Sequence, residues 1–422
     1  MKIKNYFKKL LKKVQSEKNL KLIACIILIT SIMQISLCNK VYADDENEEE
    51  FSNLEIQDVS TNLSSIVPSI NSRRYIIYDR LSKRAIYGKD YEKETAMAST
   101  TKIMTAIIVL ENSNNLNEKV IINEKASKTG GSTLGLKKDD EITINDLLYG
   151  LLLRSGNDAA VALSFAIAEN TENFISLMNK KAKELNLKHT NFVTPHGLDD
   201  PKHYTTPLEL AKITDYALEN KEFSKIVKTI SYTIYINGVP KTIKNTNEIL
   251  CSNIDGVYGV KTGFTNNAGR CLVTAVKRNN LDFIIIVLGA DSRKYRAEDT
   301  IKLINYVFKT FRYENIENSI NEEFNNWKNI NLNRIMMSKA QNKIQAKIEN
   351  IPIKSLATNK NITFETNAVN YIEAPSNKNQ KIGNIIVKSG DEIIENIDIL
   401  LANDIKRKNL KDYYTMLLKV FS

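Results

Sequence analysis

Ala98-Ser99-Thr100-Thr101-Lys102-Ile103-Met104-Thr105-Ala106 puts a hydroxyl and an amine three residues apart at the head of an apolar helical run. Residues at i and i+3 are neighbours on a helix surface, so Lys102 comes within hydrogen-bond reach of Ser99. An adjacent amine can activate a serine without a histidine. Ser99 is the serine of this chain followed three residues later by lysine. The tetrapeptide alone also describes an ordinary helix start, with a hydroxyl cap and a solvated lysine. The surrounding chain has to decide.

The chain is 422 residues with a formal charge of +10. That excess is local: residues 1–43 hold nine lysines and one glutamate, which leaves the remainder near +2 and gives no reason to expect a nucleic-acid partner. Residues 1–43 have the layout of a signal peptide. A lysine-rich start is followed by an apolar stretch from Leu22 to Cys38, and Val41-Tyr42-Ala43 offers small residues at the cleavage positions. Cleavage after Ala43 is expected, with an uncleaved anchor as the alternative. Either way the chain is exported. Residues 44–72 are acidic and then Ser-, Asn- and Thr-rich, a solvated linker. Cys251 and Cys271 remain after cleavage and are read as two separate thiols, although export permits a disulfide.

Apolar periodicity predicts strands at Tyr75–Tyr78 and Ala85–Tyr87, then helices, notably Ile144–Leu153 and Ala159–Ala168. Strands return at Tyr232–Ile236, Val257–Lys261, Leu272–Val276 and Phe283–Leu288, the last apolar throughout and therefore central. A helix from about Ala297 to Phe311 follows. The fold class is α+β: an antiparallel sheet with helices packed on it and a helical insertion, over residues 73–312. Residues 313–400 read as a small all-β domain. Residues 401–422 read as an amphipathic helix, with Leu410, Tyr413, Tyr414, Leu417, Leu418 and Phe421 on one stripe and Lys408, Lys411 and Lys419 beside it. Such a helix fits a membrane interface or docks on the β domain.

A Ser–Lys acyl enzyme also needs a proton relay and a cation to hold the substrate carboxylate. Ser155-Gly156-Asn157 and Lys261-Thr262-Gly263 can supply them, and both patterns have decoys. Ser-x-Asn recurs at Ser60, Ser69, Ser113 and Ser319, all in polar, Asn-rich surroundings; Ser155 lies between two apolar helical runs. Lys-Thr-Gly recurs at Lys128 in a loop texture, whereas Lys261 ends an expected strand, where a substrate backbone can pair.

In this order the three motifs resemble those of the penicillin-recognising serine hydrolases, and most closely the D-alanyl-D-alanine carboxypeptidases among the low-molecular-mass penicillin-binding proteins. The resemblance extends through Pro195-His196-Gly197-Leu198, His203-Tyr204-Thr205-Thr206 and Gly256–Thr265, over roughly residues 73–312. It implies a penicillin-binding/β-lactamase-like domain that removes the C-terminal D-alanine from peptidoglycan stem peptides and is acylated by β-lactams. It implies Ser99 as nucleophile, Lys102 as general base with its pKa lowered by Lys261 and burial, and Ser155 as proton relay. Asn157, Lys261, Thr262, Gly263, Phe264 and Arg296 would bind substrate, with the N–H groups of Ser99 and Phe264 as oxyanion hole. Where some relatives carry an arginine inside an Asn-x-Asn sequence, this chain has Thr246. No cofactor is implied, and His189, His196 and His203, seven apart, do not have metal-ligand spacing. A DD-endopeptidase could use the same residues. A class A β-lactamase would need a Glu-x-x-Leu-Asn loop that the chain lacks.

Overall fold

The computed structural model describes residues 67–420; the expected signal peptide, nearly all of the acidic linker and Phe421 lie outside them. Strands β1 (Arg74–Asp79) and β2 (Arg84–Lys89) lead into a 3-10 turn, Ala98–Thr101, and helix α1 (Lys102–Asn112). Helices α2 (Ile144–Leu153), α3 (Asn157–Ala168), α4 (Thr171–Glu184), α5 (Pro207–Glu219) and α6 (Lys221–Val227) form the insertion. The hairpin β3 (Ser231–Ile236) and β4 (Val239–Lys244) and the short α7 (Glu248–Cys251) lead back to β5 (Val257–Thr265), β6 (Gly269–Arg278), β7 (Leu281–Ala290) and α8 (Arg293–Thr310).

The sheet runs β2-β1-β7-β6-β5, antiparallel throughout. β7 is central and buried along its whole length, which explains its unbroken apolar run. Ile284, Ile286 and Leu288 face α1 and the insertion, while Phe283, Ile285 and Val287 face Leu303, Ile304 and Val307 of α8. β5 is an edge strand. It continues through Lys261 to Thr265, so the Lys261 motif lies within the strand rather than at its end. Lys261–Thr265 stay in register with Gly269–Val273, and this pairing carries the strand past the polar residues.

Beyond α8, β8 (Arg312–Asn315) is followed by helix α9 (Glu317–Asn331), which the strand texture did not predict. Ile320, Phe324 and Trp327 form its buried face, and Trp327 Nε1 donates to the Asn367 carbonyl at 2.9 Å. It covers an antiparallel sheet ordered β9 (Ala346–Ile348), β13 (Glu392–Leu401), β12 (Lys381–Ser389) and β11 (Ile362–Ala368), while β10 (Ser355–Thr358) pairs with β8. The two cores are joined where the Ala357 N–H donates to buried Asp79 at 2.9 Å. The last helix, α10, spans Leu410–Val420 rather than starting at 401, because residues 402–409 bridge back to the β domain. Its apolar stripe is open to solvent, with Leu410 89%, Tyr414 65% and Leu417 58% exposed. No helix among the described residues is long and apolar enough to cross a membrane.

Candidate active site

The head of α1 is where the chain becomes unusual. Ala98, at φ +48°, turns the backbone into a 3-10 turn that carries Ser99. In that tighter helix residues i and i+3 eclipse, which brings Lys102 Nζ to 2.6 Å from Ser99 Oγ. α1 runs between the sheet and the insertion and is buried from Lys102 to Val109. Lys102 is therefore not a surface charge but is 0% exposed.

Its nitrogen meets three oxygens from two further segments: Asn157 Oδ1 at 2.7 Å, Ser155 Oγ at 3.3 Å and the His196 carbonyl at 3.0 Å. The carbonyl and the amide oxygen carry no hydrogen, so both must receive N–H. The Asn157 amide is oriented by Nδ2 donating to the Gly130 carbonyl at 2.8 Å, which fixes Oδ1 on Lys102. Ser155, buried at φ +64°, links α2 to α3 and brings its hydroxyl to the same amine.

The edge strand closes the other side. A Cβ on Gly263 would sit 3.0 Å from Ser99 N and 3.2 Å from Thr100 N, so a side chain there would crowd the turn that carries Ser99. Lys261 and Thr262 are buried on this strand, and Thr262 Oγ1 lies 2.7 Å from Thr246 Oγ1. The Thr246 N–H also bonds the Leu153 carbonyl at the end of α2, tying the second motif to the third. The Phe264 ring stacks under the Arg270 guanidinium at 3.9 Å. Arg296 is fully buried on α8 and held by Glu248. The structure thus gathers Ser99, Ser155 and Asn157 around the Lys102 nitrogen, with Gly263 against the Ser99 turn, while Arg296 on α8 is paired with Glu248, a partner that the sequence reading did not anticipate.

Several supporting residues also escaped that reading. The Asp158 carboxylate is buried and accepts the N–H groups of Leu134 at 2.9 Å and Leu136 at 3.1 Å. This anchors the 130–136 loop, and with it the Gly130 carbonyl, beside Asn157. Burial pushes the Asp158 carboxyl pKa up against the pull of those bonds. Its position after a motif asparagine at a helix start was the available signal. Gly197, at φ +90°, lies where a Cβ would be 1.9 Å from the Ala98 carbonyl. Among the described residues no cluster of His, Cys, Asp or Glu is placed to hold a metal. Cys251 and Cys271 are not joined in a disulfide.

Two histidines buttress the site. His203 Nδ1 accepts the Val193 N–H at 2.9 Å, so Nε2 carries the proton and donates to Thr101 Oγ1 at 2.8 Å. Burial pushes the His203 pKa down to about 4 and that of His196 down to about 3. A histidine depressed in the fold takes its proton first in the unfolded chain. Its contribution is therefore complete above about pH 6.5 and is lost as pH falls toward 4. For His203 the loss is on the order of 2–3 kcal/mol. Thermal melts should show stability falling over that window, and His203→Gln should flatten the slope; an unchanged slope would contradict this origin.

The comparisons with known proteins agree with this geometry. Residues 61–292 match the family described as D-alanyl-D-alanine carboxypeptidase, peptidase S11, and residues 351–407 match the penicillin-binding protein 5 C-terminal domain. The D-alanyl-D-alanine carboxypeptidase DacF of Bacillus subtilis (strain 168) is 29% identical over 342 residues, covering 79% of this chain and 85% of that protein. A D-alanyl-D-alanine carboxypeptidase of Streptomyces sp. (strain K15) is 38% identical over 240 residues, covering 53% of this chain and 82% of its own length. The crystal structure of the Streptomyces K15 DD-transpeptidase superposes with a TM-score of 0.55 at 36% identity, over 58% of this chain and 99% of that one. Penicillin-binding protein 5 from Haemophilus influenzae, at 24% identity and a TM-score of 0.66, covers 81% of this chain and 99% of its own, sharing the fold. With the family matched across the unit that holds the Ser99 cluster, the chain belongs to the D-alanyl-D-alanine carboxypeptidases of peptidase family S11.

Proposed function

We propose that this chain is a serine-type D-Ala-D-Ala carboxypeptidase acting on peptidoglycan stem peptides through an acyl-enzyme on Ser99. The observation that carries the reading is the buried Lys102 nitrogen 2.6 Å from Ser99 Oγ, held in place by the Asn157 amide oxygen and the His196 carbonyl. Removal from water disfavours an ammonium and supports the basic form.

Ser99 Oγ attacks the carbonyl carbon of the penultimate D-alanine as its proton passes to Lys102 Nζ. The oxyanion is held by the N–H groups of Ser99 and Phe264, which the closeness of Gly263 to Ser99 N brings to one side. Ser155 relays the proton to the departing nitrogen, the C–N bond breaks and D-alanine leaves. Water then attacks the ester carbonyl, giving a proton to Lys102; the bond from the acyl carbon to Ser99 Oγ breaks, and Lys102 passes that proton on to Ser99. Lys261 and Thr262 hold the terminal carboxylate, and the open edge of β5 takes the substrate backbone. β-Lactams acylate the same oxygen. The direct test is D-alanine release from a peptide ending in D-Ala-D-Ala, with penicillin acylation mapped by mass spectrometry. Release with adduct on Ser99 is expected; no release and no adduct would overturn the reading. Nitrocefin turnover and products from cross-linked muropeptides test the β-lactamase and endopeptidase alternatives.

The protein works outside the cytoplasm, on the membrane face, with residues 1–43 as signal peptide, 44–72 as linker, 73–312 as catalytic domain and 313–400 as β domain. Residues 401–422 provide the membrane contact. The exposed stripe of α10, 410–418, supports this, since each Leu buried in an interface contributes about 1.5–3 kcal/mol. Leu417→Asp with Leu418→Asp should lower co-sedimentation with anionic lipid vesicles about tenfold or more. Equal binding by the variant would count against it.

A further inference from the structure

The carboxylate end of the cleft contains a charge pair that the steps above do not use. Glu248 opens α7, two residues beyond Thr246, whose hydroxyl touches that of Thr262. From α8, Arg296 donates Nε to Glu248 Oε1 at 2.9 Å and Nη2 to Oε2 at 2.8 Å. The Arg296 side chain is 0% exposed and that of Glu248 5%. A two-point pair of this kind holds both groups in one geometry and, taken together, presents no net charge. By chain geometry both charges lie on the order of 10 Å from the Thr262 hydroxyl. At that range inside a protein a single charge left uncompensated changes anion binding severalfold.

We propose that Glu248 is a specificity-determining, positioning residue. By cancelling the charge of Arg296, it makes recognition of the terminal carboxylate rest on Lys261 and the Thr262 hydroxyl rather than on the guanidinium. The inference depends on the reading that Lys261 and Thr262 hold that carboxylate. It explains what a buried acid gains by standing next to an anion-binding strand: it lowers affinity for a carboxylate that Arg296 would otherwise attract.

The test uses the exported chain with an N-acylated peptide ending in D-Ala-D-Ala and the same peptide as its C-terminal carboxamide, following D-alanine and D-alaninamide. Glu248→Gln keeps the size and one acceptor for Arg296 but removes the negative charge. It should lower KM for the carboxylate peptide about three- to tenfold and leave KM for the carboxamide unchanged. Glu248→Ala, a second route to the same charge change, should act in the same direction. The double variant Glu248→Gln/Arg296→Gln, neutral again, should bring the carboxylate-to-carboxamide ratio of kcat/KM back to that of the wild type. A ratio within about twofold of wild type in both single variants, with or without a lower Tm, would mean that the pair is only structural and overturn the proposal. Failure of the catalytic reading looks different, because the wild type then releases neither product and this inference falls with it.

Discussion

Ser99→Ala is expected to abolish D-alanine release and covalent labelling by fluorescent penicillin, with a loss of at least about 10⁴-fold. Neither hydroxyl beside it in the turn is poised to replace it: Thr100 Oγ1 is turned back onto the Met97 carbonyl, and Thr101 Oγ1 is taken by the Ala98 carbonyl and His203. Alanine fits the 3-10 turn without a clash, and one hydrogen bond to Lys102 is lost, so stability should change by only about 1 kcal/mol. The variant should therefore melt close to wild type and still bind stem peptide. Residual labelling above about a hundredth of wild type would move the nucleophile elsewhere.

Lys102→Met should lower the acylation rate about 10³- to 10⁴-fold and also destabilise the fold. Methionine matches the unbranched stem, so the activity loss reports the missing base. The second effect separates this variant from Ser99→Ala. Lys102 Nζ serves the Asn157 amide oxygen and the His196 carbonyl, both in the interior. Leaving each without its donor costs about 1–3 kcal/mol, and the Tm should fall accordingly. Stopped-flow acylation and thermal melts measure the two effects. An active Lys102→Met protein would remove lysine from the role of base and return Ser99-Thr100-Thr101-Lys102 to an ordinary helix start.

The elements that could be read directly were those whose pattern follows from burial. Ile144–Leu153 was legible as a helix from its apolar periodicity, and in the fold Thr143 caps its start. The strand at Phe283–Leu288 was legible because burial on both faces leaves no polar alternation. Helix α9 was missed for the opposite reason: within Glu317–Asn331 its buried residues Ile320, Phe324 and Trp327 are diluted by asparagine and glutamate, and only packing on the β-domain sheet singles them out.

The motif residues were legible as types and order, and their spacing along the chain was enough to nominate them. Their supports were not. Asp158, His203 and Gly197 meet groups of segments 24, 102 and 99 residues away, counted to Leu134, Thr101 and Ala98, and no local pattern announces such a partner. Glu248 reads as an ordinary first-turn acid until α8 brings Arg296 onto it.

By itself the sequence determined the fold class, the nucleophile–amine pair and the order of the three motifs, because these follow from apolar periodicity and from residue types at short range. Only the tertiary structure decided that Lys102 is a buried amine held against Ser99 rather than a solvated charge. That outcome depends on α1 being enclosed between the sheet and the insertion, which takes water from the amine and surrounds it with oxygens from α3 and the His196 loop. The charge state of a lysine is set by the water it loses and the partners it meets, and both come from distant parts of the chain.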